Sequence, residues 1–341
     1  MFKAKKFIIW ISYPIFVLKY IFAILLPVSF ILGLLYGEVK LNFSQILHPN
    51  GVYSIILFDI RLPTVISAML IGILISLSGA ILQHLLKNPL VDPYISGTAS
   101  GGAFGAVLSY FLLAFNLPFS WLVYFQPLIA FITATLATLI TVGIGRKGNV
   151  YSIVVGGIVV SYIFSSLTTI LLIIFQEKYP QIPPLTFWLL GEIEIVGWKD
   201  VIILSLLSVL FILLAFKFSR ALDLVSISDE ISYTHKINPG RQRIFWLLLV
   251  SLINAYIVSI AGIIGFIGII VPHIARRIDG SMRSLSIYSP LIGATIMEFS
   301  NIVSRGLFGT IIPLTAITAL LASPIILSIL VKINDNQRVE S

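Results

Sequence analysis

The feature that most constrains this chain is a succession of apolar runs, each about long enough to cross a membrane and nearly free of charge. They fall at about 14–36, 62–86, 92–114, 121–145, 149–176, 199–218, 244–262, 263–278, 284–304 and 313–333. A bilayer core takes about 20 apolar residues per helix, and an open strand there would leave backbone groups unpaired. The expected fold class is therefore all-α and polytopic, with about ten transmembrane helices. The eighth run is short, and Gly262, Gly265 and Gly268 mark a break within a longer segment.

Composition agrees with that reading. Of 341 residues, 58% are hydrophobic and 11% charged, whereas a soluble domain carries about 25% charge. A soluble or disordered chain is excluded. The net charge of +8 is read as basic loops on one side of a membrane, not as a nucleic-acid surface. With the N-terminus inside and the runs alternating, Lys40, Arg61, Lys178, Lys199 and Arg305 fall outside, and the other 17 of the 22 Lys and Arg fall inside. Both termini are expected in the cytoplasm. Lys3, Lys5 and Lys6 form the basic flank of a first membrane helix. A cleaved signal peptide would have a shorter apolar core ending in small residues.

No long polar stretch remains for a second domain, so residues 1–341 are read as one transmembrane unit. Two loops stand out. The outer segment, about 177–198, holds Pro180, Pro183, Pro184 and Trp188 and reads as a short interfacial helix with aromatic anchors. The inner segment, about 219–243, is the most polar stretch and has room for one or two short surface helices, ended by Asn238-Pro239-Gly240.

The chain shows no equipment for covalent chemistry. It has no cysteine, and its histidines, at 48, 84, 235 and 273, form no metal-ligand pattern. There is no G-x-x-x-x-G-K-[ST] run to hold ATP, and no facing pair of acids for an intramembrane enzyme. Neither a cofactor nor a metal is expected. Glu298 is the only acid deep in an apolar run. It lies seven residues before Arg305 on the same helix face, too far for an ideal pair. Intramembrane carboxylates are costly and mark paired or functional sites. Ser161, Ser165, Thr168 and Thr169 share one face of the fifth helix. Those hydroxyls suit a wettable path and helix packing equally. Gly97, Gly101 and Gly105, four apart, read as a packing seam.

Longer motifs carry a resemblance. Arg61-Leu-Pro63 is followed by Ser78-Gly-Ala-Ile-Leu-Gln83, Asn88-Pro89, Asp92-Pro93 and Gly97-Thr-Ala-Ser-Gly101-Gly102. Later come Trp188-Leu-Leu-Gly191 with Trp198, and Gly265-Phe-Ile-Gly268-Ile-Ile-Val-Pro272-His273 with Arg276. Over about 55–330 the chain resembles the permease subunits of ABC importers for iron-siderophore, haem and cobalamin, the type II importers, some of which carry oxyanions such as molybdate. The resemblance implies alternating access, separate ABC ATPase subunits, an extracytoplasmic substrate-binding protein, and a second permease copy, as a homodimer in the membrane lipid. It implies that Arg61 and Arg305 receive acidic residues of the binding protein. The family often has a second arginine where this chain has Thr64. It implies that 219–243 is the coupling loop, with Ser228, Asp229, Glu230, Ser232, Lys236 and Asn238 at the ATPase contact, and that the fifth helix lines the path. Ser228 and Lys236 stand where the family usually has glycine. The competing function is a secondary transporter driven by an ion gradient, for which only Glu298 qualifies as an ion-site residue.

Overall fold

The computed structural model describes residues 15–115, 121, 125–145, 149–179, 189–305 and 310–340, with side chains from residue 18 to residue 328. The N-terminal lysines, Arg146, Lys147 and the 180–188 part of the outer segment lie outside these residues. Among the described residues there are helices and no strands. They run α1 (Ile15–Leu35), α2 (Phe43–Leu47), α3 (Val52–Leu85), α4 (Thr98–Ala114), α5 (Gln126–Ile144), α6 (Val150–Lys178), α7 (Lys199–Lys217), α8 (Ser219–Ile227), α9 (Asp229–Thr234), α10 (Pro239–Ala261), α11 (Ile267–Ala275), α12 (Met282–Ser304) and α13 (Leu314–Glu340). Six of them, α1, α3, α5, α6, α7 and α10, are long and apolar enough to cross a membrane. Helix α4 and the Leu314–Ser328 part of α13 are apolar but shorter, and α11, with nine residues, reaches only part of the way.

Every apolar run holds a helix, but three boundaries move. The second helix does not open at residue 62. It is continuous from Val52 to Leu85, 34 residues or about 50 Å, well over the ~30 Å of a hydrocarbon core. A π-turn, Ile56–Arg61, lies within it. The cause is Pro63, which has no N–H to give to the carbonyl four residues back. The Leu62 N–H bonds to Leu57 O instead. Two carbonyls are thereby released. Asp59 O accepts from Gly197 N (2.7 Å), and Phe58 O accepts from Trp198 Nε1 (3.1 Å). The third run starts as helix only at Thr98, because Asn88 and Asp92 side chains turn the chain back onto Leu90 N and Tyr94 N and Gly97 takes φ +80°. The seventh starts early, at Pro239, capped by Asn238.

The core is centred on α3, buried along most of its length between α12, α11, α10 and α7. Its approach to α12 is backbone on backbone. A Cβ on Gly72 would collide with Gly293 O, and Ser76 Oγ donates to Ser289 O (2.9 Å). One turn on, a Cβ on Gly79 would collide with Gly268 O. The expected glycine seam is real for two of its three members: Gly101 and Gly105 lie on α5, while Gly97 meets Val160 of α6. The outward faces of α5, α6 and α7 are apolar, with Leu136, Leu139, Ile170, Ile173, Leu206 and Leu210 all exposed. That is the surface of a lipid-facing helix.

Of the outer segment, the expected interfacial helix falls mostly on 180–188, outside the described residues; Leu189 is still helical, Leu190 is a turn, and 191–196 form irregular backbone. The segment threads past the break between α10 and α11. Glu192 N donates to Ala261 O, Ile263 N to Leu189 O, and Leu314 N and Thr315 N to Gly191 O and Leu190 O. Thr315 Oγ1 accepts from Gly265 N and donates to Ile263 O.

These contacts set a contrast between two glycines. Gly72→Ala is expected to cost well over 2 kcal/mol, because the backbone of α12 has to move. Gly143→Ala, in α5 with open space around it, is expected to gain up to about 1 kcal/mol. Thermal unfolding of the detergent-solubilised protein, with fluorescence-detected size exclusion, measures both.

Candidate functional site

Three groups of the residues singled out above form local structures. The first is the two-helix element α8–α9. Ser228, at φ −156°, is extended and caps α9, its Oγ accepting from Glu230 N (3.1 Å) and Ile231 N (3.5 Å) and donating to the Glu230 carboxylate. An extended residue does not need to be glycine, and serine supplies the cap. Lys236 differs. It sits at φ +61° just past the end of α9, where Ile237 N bonds to Ser232 O and Lys236 N to Tyr233 O, both 2.9 Å. This is the paired-bond helix stop that favours glycine. Lysine is tolerated there at a cost. Ser232 is buried and bonded to Ser228 O, and Asn238 caps α10 through Arg241 N.

Asp229 is the anchor of the element. Its carboxylate accepts from Arg243 Nη1 (2.9 Å) and Nη2 (2.6 Å) and from Lys87 Nζ (3.0 Å). Arg243 is itself buried and donates from Nε to Leu85 O (3.1 Å). One carboxylate therefore ties α9 to the end of α3 and the start of α10. The Arg243 hydrogen bonds, aided by Lys87, hold the Asp229 carboxyl below its ordinary value. Asp223 on α8 makes a second tie, accepting from Met282 N at the start of α12 (2.8 Å). At the surface the element leaves Glu230, Thr234, His235 and Lys236 and the apolar side chains Ile227, Ile231 and Tyr233, of which Ile227 and Tyr233 stand out furthest at 64% and 59% exposed. The sequence reading missed these apolar residues and the tie to Lys87 and Arg243. Apolar residues inside a polar loop were the available signal for the first.

The second group is at the other end of α3. Arg61 and Arg305 are each 7% exposed and turned inward. Arg61 donates to Tyr36 O and to Val39 O (2.6 Å), beyond the end of α1. Arg305 donates to Ile193 O (3.2 Å) and to Glu38 Oε1 (3.1 Å). The two guanidiniums therefore order the chain around them and do not stand free at the rim. Thr64 is buried and bridges both backbone groups of Ile195, its Oγ1 donating to the carbonyl (3.1 Å) and accepting from the N–H (3.4 Å). Glu298 is fully buried beneath the pair.

The third group is a cleft of about 420 Å³ in which Ser161, Ser165, Thr168 and Thr169 of α6 meet Ser100 of α4 and Tyr94. Thr168 and Thr169 also bond back to Phe164 O and Ser165 O. The hydroxyls thus serve the helix and line the cleft together. His84 is buried with Nε2 3.7 Å from Asp223, and no cluster of three metal-ligating side chains occurs among the described residues.

Two outcomes follow for α8–α9. Lys236→Gly removes the left-handed penalty and is expected to stabilise the protein by about 1 kcal/mol in thermal unfolding. Asp229→Asn weakens three charge-assisted bonds. Discounted for solvent exposure, the cost is about 1 kcal/mol, seen as faster amide exchange across residues 227–238. Because the Asp229 pKa is depressed, this protection is present at neutral pH and is lost only as pH falls below the ordinary carboxylate value of 3.8.

Comparison with known proteins places this geometry. The model of the FecCD transport family matches residues 25–332. A "Probable iron chelatin transport system permease protein" of Helicobacter pylori is 33% identical over 301 residues, covering 86% of this chain and 88% of the relative. The molybdate import system permease protein of Haemophilus influenzae is 29% identical over 327 residues, covering 92% and 94%. A solved inward-facing structure of a metal-chelate type ABC transporter superposes with TM-score 0.79 at 27% identity, over 92% of this chain and 98% of the other. With one family model spanning nearly all of the described helices and a relative at this identity and coverage, the chain belongs to the FecCD transport family.

Proposed function

We propose that this chain is the membrane-spanning permease subunit of an ATP-driven importer, and that its cargo is an iron chelate of the siderophore class. The observation that carries the reading is the match over residues 25–332 together with the iron-chelate relative at 33% identity. Haem, cobalamin and molybdate are the other cargoes the resemblance allows, and they are arms of the test.

In this reading the chain is one domain of about ten spanning helices with both termini in the cytoplasm. Two copies form the path, and the α6 hydroxyl cleft lines it. The α8–α9 element faces the cytoplasm and receives the ATPase. Its firm ties through Asp229 and Asp223 support this, because an element that passes on a stroke has to move with the helices it drives. Ile227, Tyr233 and Glu230 are the contact surface. Asp229, Ser228, Ser232 and Asn238 act by holding its shape. ATP supplies the free energy through its preference for the closed ATPase pair. At the opposite end, Arg61 and Arg305 shape the rim that meets the binding protein, with Glu38 exposed beside them.

Co-purification with the ABC ATPase encoded beside this gene tests the assignment. Tyr233→Ala combined with Glu230→Lys is expected to reduce recovery of the ATPase about tenfold or more, as loss of a contact centre does, with the permease still monodisperse. Undiminished recovery, or none with the unaltered chain, contradicts it. Uptake arms with ferric siderophore, haem, cobalamin and molybdate then assign the cargo.

A further inference from the structure

The residues beneath the two inward arginines make a small polar chamber inside the protein. It is lined by Gly33 and Tyr36 from α1 and its end, Arg61 and Thr64 of α3, and Glu298, Asn301 and Arg305 at the end of α12. Glu298, Asn301 and Arg305 are 0%, 3% and 7% exposed and stand on successive turns of one helix face. The charged groups facing the chamber are Arg61, Arg305, Glu298 and, paired with Arg305, Glu38.

Three atoms of the chamber have no partner among the described residues: Glu298 Oε1, Asn301 Oδ1 and Arg305 Nε. Each belongs to a group whose other polar atoms are engaged. Asn301 Nδ2 donates to Glu298 Oε2 (3.5 Å), and both Arg305 Nη atoms donate as described above. A buried polar atom left without a partner costs more than its hydrogen bond is worth, and three on one short stretch of helix is unusual. The set is one donor and two acceptors. A water molecule is its complement, accepting from Nε–H and donating one hydrogen to each oxygen. A sodium ion is not, because the Nε–H would point at it, and an anion would face two oxygens. The space for a water centre in the chamber is about 10 Å³, close to the least that holds one water, about 10–15 Å³ by that measure.

We propose that Glu298, Asn301 and Arg305 form a binding site for one buried water, and that this water adds a third tie, at Nε, to the Ile193 and Glu38 contacts that turn the Arg305 guanidinium inward. The site explains Gly33 as well. A Cβ there would collide with Glu298 Oε1 and press on Val65, so only glycine lets the carboxylate reach the chamber. Asn301 and Glu298 are positioning residues in this arrangement, acting on Arg305 through the water. The site stands whether or not the rim meets a binding protein.

The direct test is a structure of the full chain in nanodiscs at a resolution that shows ordered waters. A single peak within hydrogen-bond distance of all three atoms is expected. Direct pairing of the three side chains, or a chamber closed by repacking, overturns the proposal. Mass-spectrometric mapping of modification by an arginine-directed dicarbonyl gives an independent reading. In Asn301→Leu, which removes one acceptor, modification of Arg305 is expected to rise about fivefold, the factor for one net hydrogen bond. Arg243, buried at the other end, is expected to stay at its original rate. Gly33→Ala, which displaces Glu298 into the chamber, is expected to give the same pattern if Asn301→Leu is not recovered. An unchanged Arg305 rate overturns the positioning role, and a rise at both arginines, the sign of general loosening, does so too.

Discussion

Everything in this fold depends on one constraint: inside hydrocarbon, backbone N–H and C=O groups must find partners within the protein. Helices meet it for most of the chain. The informative places are those where a helix cannot. Pro63 takes away one donor, and the chain answers with a π-turn whose two released carbonyls are met by Gly197 and Trp198. The break between α10 and α11 exposes a further set, which residues 189–192 and Thr315 satisfy. These irregular stretches meet at the Arg61 end of the bundle, where they are wrapped in protein.

The ends of the bundle use charge in different ways. At the α8–α9 end, Asp229 gathers Arg243 and Lys87 so that a surface element becomes part of the helix frame. At the Arg61 end, two guanidiniums are drawn inward to carbonyls that the irregular segments leave open. In both cases an arginine with fixed, forked donors suits the task better than lysine, because several acceptors lie in set directions. The glycines on α3 let these ends be coupled closely, since Gly72 and Gly79 bring α12 and α11 to backbone contact.

Much of this was legible in the sequence, because hydrophobic run length is a local property. Each apolar run holds a helix, and the break near Gly262 falls where the glycines put it. The start of α3 was not legible. A basic residue and a proline look like the opening of a helix, and only the far-off partners Gly197 and Trp198 let it run on. The orientation of Arg61 and Arg305 was hidden for the same reason, since their acceptors lie at residues 36, 39, 38 and 193. Ser228 and Lys236, similar departures on paper, proved physically unlike: one position is extended and capped, the other left-handed. The clamp on Asp229 joins residues 142 and 14 positions apart, beyond any motif.

The central claim is that this helix frame is driven from its α8–α9 end by ATP. The most direct measurement is uptake of a ferric siderophore into proteoliposomes holding the permease, its ATPase and its binding protein. The account predicts uptake that requires internal ATP and is indifferent to an uncoupler. Uptake that proceeds without ATP and collapses with the ion gradient would contradict it.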